Sequence, residues 1–136
     1  MSSELVKKLF IEEPLHNPSE VYHFLAEQIA PFSNQEVIEK LLAREHLANI
    51  QIYQQTILPH LELRELERSQ LLILRLQDPI IWDEDMGEVK LIICLALKVG
   101  EVEKVKRQIR DFMIHLANDA YLEELLQAEK IDIEKI

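Results

Sequence analysis

The sequence predicts an α/β fold, a single mixed β-sheet with helices packed on it, and three observations carry that prediction. Two near-continuous apolar runs, Leu71-Leu72-Ile73-Leu74 and Leu91-Ile92-Ile93-Cys94-Leu95-Ala96-Leu97, suit strands covered on both faces. Ahead of them lie two helix-start signals with apolar stripes behind each. After them, beyond Gly100, helical periodicity returns and persists almost to the end. That order of elements favours one sheet with helices over it. No linker, repeat or low-complexity tract divides the chain, so residues 1–136 are expected to form a single domain.

Leu5 to Ile11 is apolar-rich and ends at Glu12-Glu13-Pro14, which predicts a first strand. Asn17 is placed to cap a helix that opens on Pro18, with Glu20 completing a capping-box-like arrangement. Val21, Phe24, Leu25 and Ile29 follow at helical spacing, and Pro31 closes the segment. Ser33-Asn34-Gln35-Glu36 is a second capping box, and the stripe Val37, Ile38, Leu41, Leu42 carries a helix to about Ala48. Ile50, Ile52, Thr56, Ile57 and Leu58 then give short strand-like pieces interrupted by Pro59. Ser69 to Leu76 is expected as a buried strand, Asp78-Pro79 as a turn, Ile80-Ile81-Trp82 as a short apolar return and Asp83 to Gly87 as a solvated loop. Glu88 to Leu97 is the second buried strand. Val102, Val105, Ile109, Phe112, Met113 and Leu116 make one long helical stripe from Glu101; Asn118-Asp119 breaks it, and Tyr121 to Ala128 forms a shorter helix.

Composition excludes several function classes. The 136 residues are 48% hydrophobic and 29% charged, ordinary values for a globular protein. Neither apolar run approaches the ~20 residues of a membrane-spanning helix, and the start of the chain, with Glu4, Lys7 and Lys8, has no signal-peptide pattern. Cys94 is the single cysteine, lies in an apolar run, and fits a small buried hydrophobe in a reducing cytoplasm. A formal net charge of -10 argues against nucleic acid, since Lys104, Lys106, Arg107 and Arg110 are interleaved with acids. A protein partner with a basic face fits better. Two glycines cannot build a phosphate loop, and no Gly-x-Ser-x-Gly elbow is present. His16, His23, His46 and His115 form no helical zinc pair, so neither a metal nor a cofactor is expected.

Two places remain for chemistry. Seven residues make about two helical turns, so Arg44 repeats the direction of Val37, and Glu45 that of Ile38. Charges on the buried side of a helix are costly unless paired. One outcome is a structural ion pair or two snorkelling side chains, which the pattern by itself favours. The other is an arginine presented to an anion beside the sheet. His60 follows Pro59, whose ring fixes its own φ and pushes Leu58 toward an extended conformation. An imidazole behind that stiff step is well held, and at an ordinary pKa of ~6.5 roughly three-quarters of it is neutral at pH 7. Position alone favours an ordinary surface or capping histidine over a nucleophile. If the chain performs chemistry, His60 is its centre.

Leu41-Leu42-Ala43-Arg44-Glu45-His46-Leu47, Ile57-Leu58-Pro59-His60 and Pro79-Ile80-Ile81-Trp82, in that order, resemble the IIA domain of the fructose/mannitol class of the phosphoenolpyruvate-dependent sugar phosphotransferase system. The resemblance spans nearly the whole chain. It implies that His60 is the phosphoacceptor, taking a phosphoryl group from HPr and passing it to a IIB domain, and that Arg44 stabilises the phosphate. Phosphoryl transfer asks mainly for an in-line nucleophile and charge stabilisation, which a neutral imidazole and a guanidinium fork supply. The chain departs from the family pattern in three ways. The stretch Ile50 to Thr56 holds no glycine, Leu61 stands where a small residue follows the histidine, and Val102 to Gln108 lacks a second histidine. These departures make a catalytically weakened regulatory or binding module the alternative. A third possibility, a regulatory piece attached to a transcription factor, fits less well with a start at Met1 and a short tail to Ile136.

Overall fold

The computed structural model describes residues 4–29 and 34–136. Pro31 and Ser33, the expected helix stop and second cap, lie outside the described residues. Strand β1 (Val6–Glu13) is followed by helices α1 (Pro18–Ile29) and α2 (Asn34–Leu47), then by β2 (Gln51–Tyr53), β3 (Thr56–Ile57) and β4 (His60–Leu63). The long strands β5 (Gln70–Asp83) and β6 (Gly87–Lys98) precede α3 (Glu103–Leu116), α4 (Asp119–Gln127) and a short 3₁₀ turn at Ile133–Lys135. One mixed sheet runs β1-β5-β6-β3-β2, with β4 also paired to β6. The β5–β6 and β2–β3 pairs are antiparallel; β1–β5, β3–β6 and β4–β6 are parallel.

The apolar runs of β5 and β6 are buried on both faces because alternate side chains serve two cores. Leu72, Leu74, Leu76, Ile92, Cys94 and Ala96 join Val21, Leu25 and Ile29 of α1 and Val37 and Leu41 of α2. Leu71, Ile73, Leu91, Ile93 and Leu95 join Val105, Phe112 and Leu116 of α3 and Leu122, Leu125 and Leu126 of α4. The sheet is thus the middle of three layers. The caps follow local sequence: Asn17 Oδ1 accepts from the Glu20 amide at 2.9 Å, and Asn118 Oδ1 from that of Ala120 at 2.9 Å. The helical stripes are narrower than their apolar patterns, since Leu42, Val102 and Met113 are exposed. Both cores have already been filled by neighbouring positions.

Asp78-Pro79 is not a turn. β5 continues through it to Asp83, and Ile80-Ile81-Trp82 is its extension rather than a return. Arg75 pairs with Leu91 and Ile80 with Val89, so β5 bulges outward between them. A proline is tolerated there because its missing N–H falls at unpaired positions. The hairpin closes where Gly87, at φ 68°, takes the left-handed conformation that releases the chain into β6. Among the described residues, no helix is long and apolar enough to cross a membrane.

Candidate functional site

Strands β3 and β4 lie end to end along the same side of β6, separated by Leu58 and Pro59. Pro59 has no N–H to give, yet its carbonyl accepts from the Leu95 amide at 3.2 Å, so the break is held against the sheet. His60 is the first residue of β4, registered opposite Leu95. Leu61 and Leu63 enter the core beneath α1 and α2, which turns His60 and Glu62 the other way along the strand. The imidazole is therefore half-buried at the rim of the sheet rather than sunk in hydrocarbon.

Arg44, in the last turn of α2, reaches that imidazole. Its Nε donates to His60 Nε2 at 2.8 Å. With Nε2 accepting, the proton of the neutral ring sits on Nδ1, and the ring's hydrogen bond to the Leu58 backbone holds its other side. Burial first, and then the Arg44 charge, push the imidazole below its ordinary pKa; Glu62 and the Leu58 hydrogen bond oppose this more weakly. The ring is kept neutral, with a lone pair aimed at a guanidinium. Ion pairs among the described residues lie elsewhere, at His16–Glu20, Lys104–Glu4 and Arg110–Glu103. The terminal nitrogens of Arg44 carry no carboxylate there.

Of the outcomes open to these two charges, an ion pair between Arg44 and Glu45 does not form among the described residues. Successive helical residues point about 100° apart, and the two charges diverge to different partners. Glu45 Oε1 accepts from the Tyr22 hydroxyl at 2.5 Å, and Oε2 from Trp82 Nε1 at 3.2 Å. The rings of Tyr22 and Trp82 meet edge to face, with centroids 5.4 Å apart. Sequence inspection assigned no role to Tyr22. Its signal was a hydroxyl-bearing aromatic inside the buried stripe of α1, where an oxygen must find a partner. Trp82 belongs to the apolar segment Ile80-Ile81-Trp82 and to the family resemblance, and neither pattern assigns its N–H a partner.

The glycine-free stretch before His60 is shaped by other means. Gln55 takes a left-handed conformation at φ 54°, and its carbonyl accepts from the amides of Lys90 and Leu91 at 2.9 and 3.0 Å. The Tyr53 hydroxyl and Gln54 Nε2 both reach Glu123 Oε2 on α4, at 2.8 and 3.3 Å. Side-chain ties to a helix thus hold the β2–β3 turn. Cys94 is fully buried and its thiol is pushed up to about 12 by burial, which leaves it unreactive. His16 and His23 are tied to Glu20 and Ser19 on α1, His46 is exposed, and His115 packs on Tyr121. None of these four joins His60. Among the described residues, no group of three or more His, Cys, Asp or Glu side chains is arranged to hold a metal ion.

Residues 6–135 match the family described as phosphoenolpyruvate-dependent sugar phosphotransferase system, EIIA 2. The multiphosphoryl transfer protein 1 of Escherichia coli K12 is 24% identical over 131 residues, which cover 91% of this chain and 15% of that protein. The chain thus spans a small part of the length of the curated relatives it matches. Among solved structures, the nitrogen regulatory protein IIA-Ntr of Neisseria meningitidis superposes with a TM-score of 0.72 at 17% identity, covering 93% of this chain and 88% of that one. The mannitol IIA of Escherichia coli superposes at 0.67 and 17% identity, covering 94% and 93%. The mannitol IIA of the same species in complex with phosphorylated mannitol IIB superposes at 0.66 and 16% identity, covering 93% and 90%. The mixed sheet with helices on it is therefore the fold of the fructose/mannitol-type IIA domains.

Proposed function

The chain belongs to the EIIA 2 family of the phosphoenolpyruvate-dependent sugar phosphotransferase system, and from that premise we propose that it carries a phosphoryl group on His60. The group is taken from phospho-HPr and passed to a IIB domain in coupled sugar uptake. The observation that carries the proposal is the 2.8 Å hydrogen bond from Arg44 Nε to His60 Nε2.

The chemistry follows from the tautomer. The Nε2 lone pair attacks phosphorus in line, the Nε2–P bond forms, and the bond from phosphorus to the donor histidine breaks. The electron pair of the broken bond returns to the donor imidazole. Nδ1 keeps its proton throughout, so no general base is needed. The hydrogen bond to Leu58 stabilises the positive charge that grows on the ring. Arg44 moves from the lone pair to the phosphoryl oxygens, where a guanidinium fork whose terminal nitrogens have no carboxylate partner among the described residues offsets their charge. In transfer to IIB a cysteine thiolate of that domain attacks phosphorus, the S–P bond forms, the Nε2–P bond breaks and its electron pair returns to Nε2.

The proposal treats residues 1–136 as one domain working in the cytoplasm, with protein partners and neither nucleic acid nor membrane insertion. Its support is the net charge of -10 and a lone, buried cysteine. Incubation with enzyme I, HPr and labelled phosphoenolpyruvate tests it. An acid-labile, base-stable label that disappears in His60→Ala is the expected result; no label with competent donors refutes it. A second reading, a docking module that has lost efficient transfer, is favoured by Leu61 and by the glycine-free turn with its left-handed Gln55. Rapid passage of the label from His60 to a IIB cysteine excludes that reading.

A further inference from the structure

Arg44 lies three residues from the end of α2, in a turn where helices ordinarily fray. That turn is nevertheless tied to two other elements. Tyr22, 2% exposed on α1, and Trp82, 6% exposed on β5, each donate to one oxygen of Glu45. Both donors are neutral and permanent. Burial first, and then Glu45 itself, push the Tyr22 hydroxyl far above its ordinary pKa, and an indole N–H does not titrate. With both oxygens engaged, the Glu45 carboxylate is held toward α1 and β5 and does not draw the neighbouring guanidinium away from His60.

We propose that Tyr22 and Trp82 are positioning residues for phosphoryl transfer: by gripping Glu45 they fix the last turn of α2 so that Arg44 meets His60 Nε2. They touch neither the imidazole nor the transferred group, and they act through the backbone shared by Glu45 and Arg44. Only the rate readout below rests on the phosphotransfer proposal; the geometric readout does not.

The test uses the full chain with Tyr22→Phe, Trp82→Phe and the pair together, which keep aromatic bulk and delete the donors. Glu45→Gln, which keeps one acceptor oxygen, is the milder companion and serves where the double variant fails to fold. Melting and circular dichroism first establish that each variant is folded. The His60 imidazole is then titrated by NMR. The charges that face it are Arg44 and Glu62, and a loosened Arg44 is expected to let its pKa rise toward the ordinary value, most in the double variant. With phospho-HPr as donor, kcat is expected to fall about 10- to 100-fold with KM changed less than ~2-fold, because geometry at the reacting atoms is lost and the docking surface is not. A folded double variant with an unmoved His60 titration overturns the inference. If the wild-type chain takes no label, the phosphotransfer proposal fails, and the titration still decides whether the clamp positions Arg44.

Discussion

Replacing Arg44 by Gln removes the positive charge but leaves an N–H donor near His60. In the resting chain the loss is one charge-assisted hydrogen bond, that of Nε to Nε2 at 2.8 Å. In the transition state it is larger, because the terminal nitrogens of Arg44 have no carboxylate partner among the described residues and are available for phosphoryl oxygens. One such bond contributes ~1.5–3 kcal/mol. At ~1.36 kcal/mol per tenfold in rate, losing one costs roughly 10- to 150-fold, and losing both arms of the fork costs about 10²- to 10⁴-fold. A Coulomb estimate agrees in scale: opposite charges ~4 Å apart interact by about 4 kcal/mol at an effective dielectric of ~20. The assay is the initial rate of labelling from saturating phospho-HPr, followed by the rate of discharge to IIB. The His60 titration of the same variant supplies an independent arm. Its pKa is expected to rise yet stay below the ordinary value, since burial is the larger cause of the depression and persists. A folded Arg44→Gln chain that loses less than ~3-fold in both rates would show that the guanidinium is not the phosphate-stabilising group.

Two further outcomes follow from conformational and proton linkage. The folded-state pKa of His60 lies below its unfolded value, so the unfolded chain binds more protons as the solution is acidified. The contribution of this residue to stability is present above pH ~6.5 and is lost as pH falls through the folded pKa. His60→Asn is therefore expected to flatten the fall in urea midpoint as pH drops below about 6.5, and parallel curves for the two proteins contradict this. Gln55 holds φ 54° without a glycine's freedom, at a cost of about 1–2 kcal/mol. Gln55→Gly is expected to raise the melting temperature by a few degrees once the greater entropy of an unfolded glycine is subtracted. A lowered melting temperature would mean that the Gln55 side chain contributes more than its backbone strain removes.

The sequence was most informative where the deciding interactions are local. Asn17 caps a helix within three residues of itself, so that boundary was visible in the sequence, whereas Asn118, which reads only as a break, caps a helix that opens at Asp119, ahead of the expected start at Tyr121. The two apolar runs announced strands covered on both faces because each of their alternate positions must find a core. The turn at Asp78-Pro79 misled for the opposite reason. Whether proline ends a strand or rides in a bulge depends on what β6 offers beyond it, and Val89 pairing with Ile80 is not written in the local residues. Leu42, Val102 and Met113 misled similarly, since a stripe shows which side chains are apolar but not how many places the core has left. Arg75 lay in the expected buried strand Ser69 to Leu76 and is only 4% exposed. It is accommodated by donating through Nη1 to the Leu125 carbonyl at 2.9 Å, near the end of a helix fifty positions away in the chain.

From the sequence alone came the order of the elements, one sheet with helices on it, two strands covered on both faces, and the two residues worth watching, Arg44 and His60. Periodicity and the stiffness of a proline act over a few residues, and both could be read there. Tertiary structure alone decided that these two side chains meet, and that Glu45 turns from its neighbour to Tyr22 and Trp82. The physical reason is that a side chain's partner is chosen by competition among all groups within a few ångströms after folding. For a buried charge that competition is settled by which hydrogen-bond donors three separate elements bring to the same point.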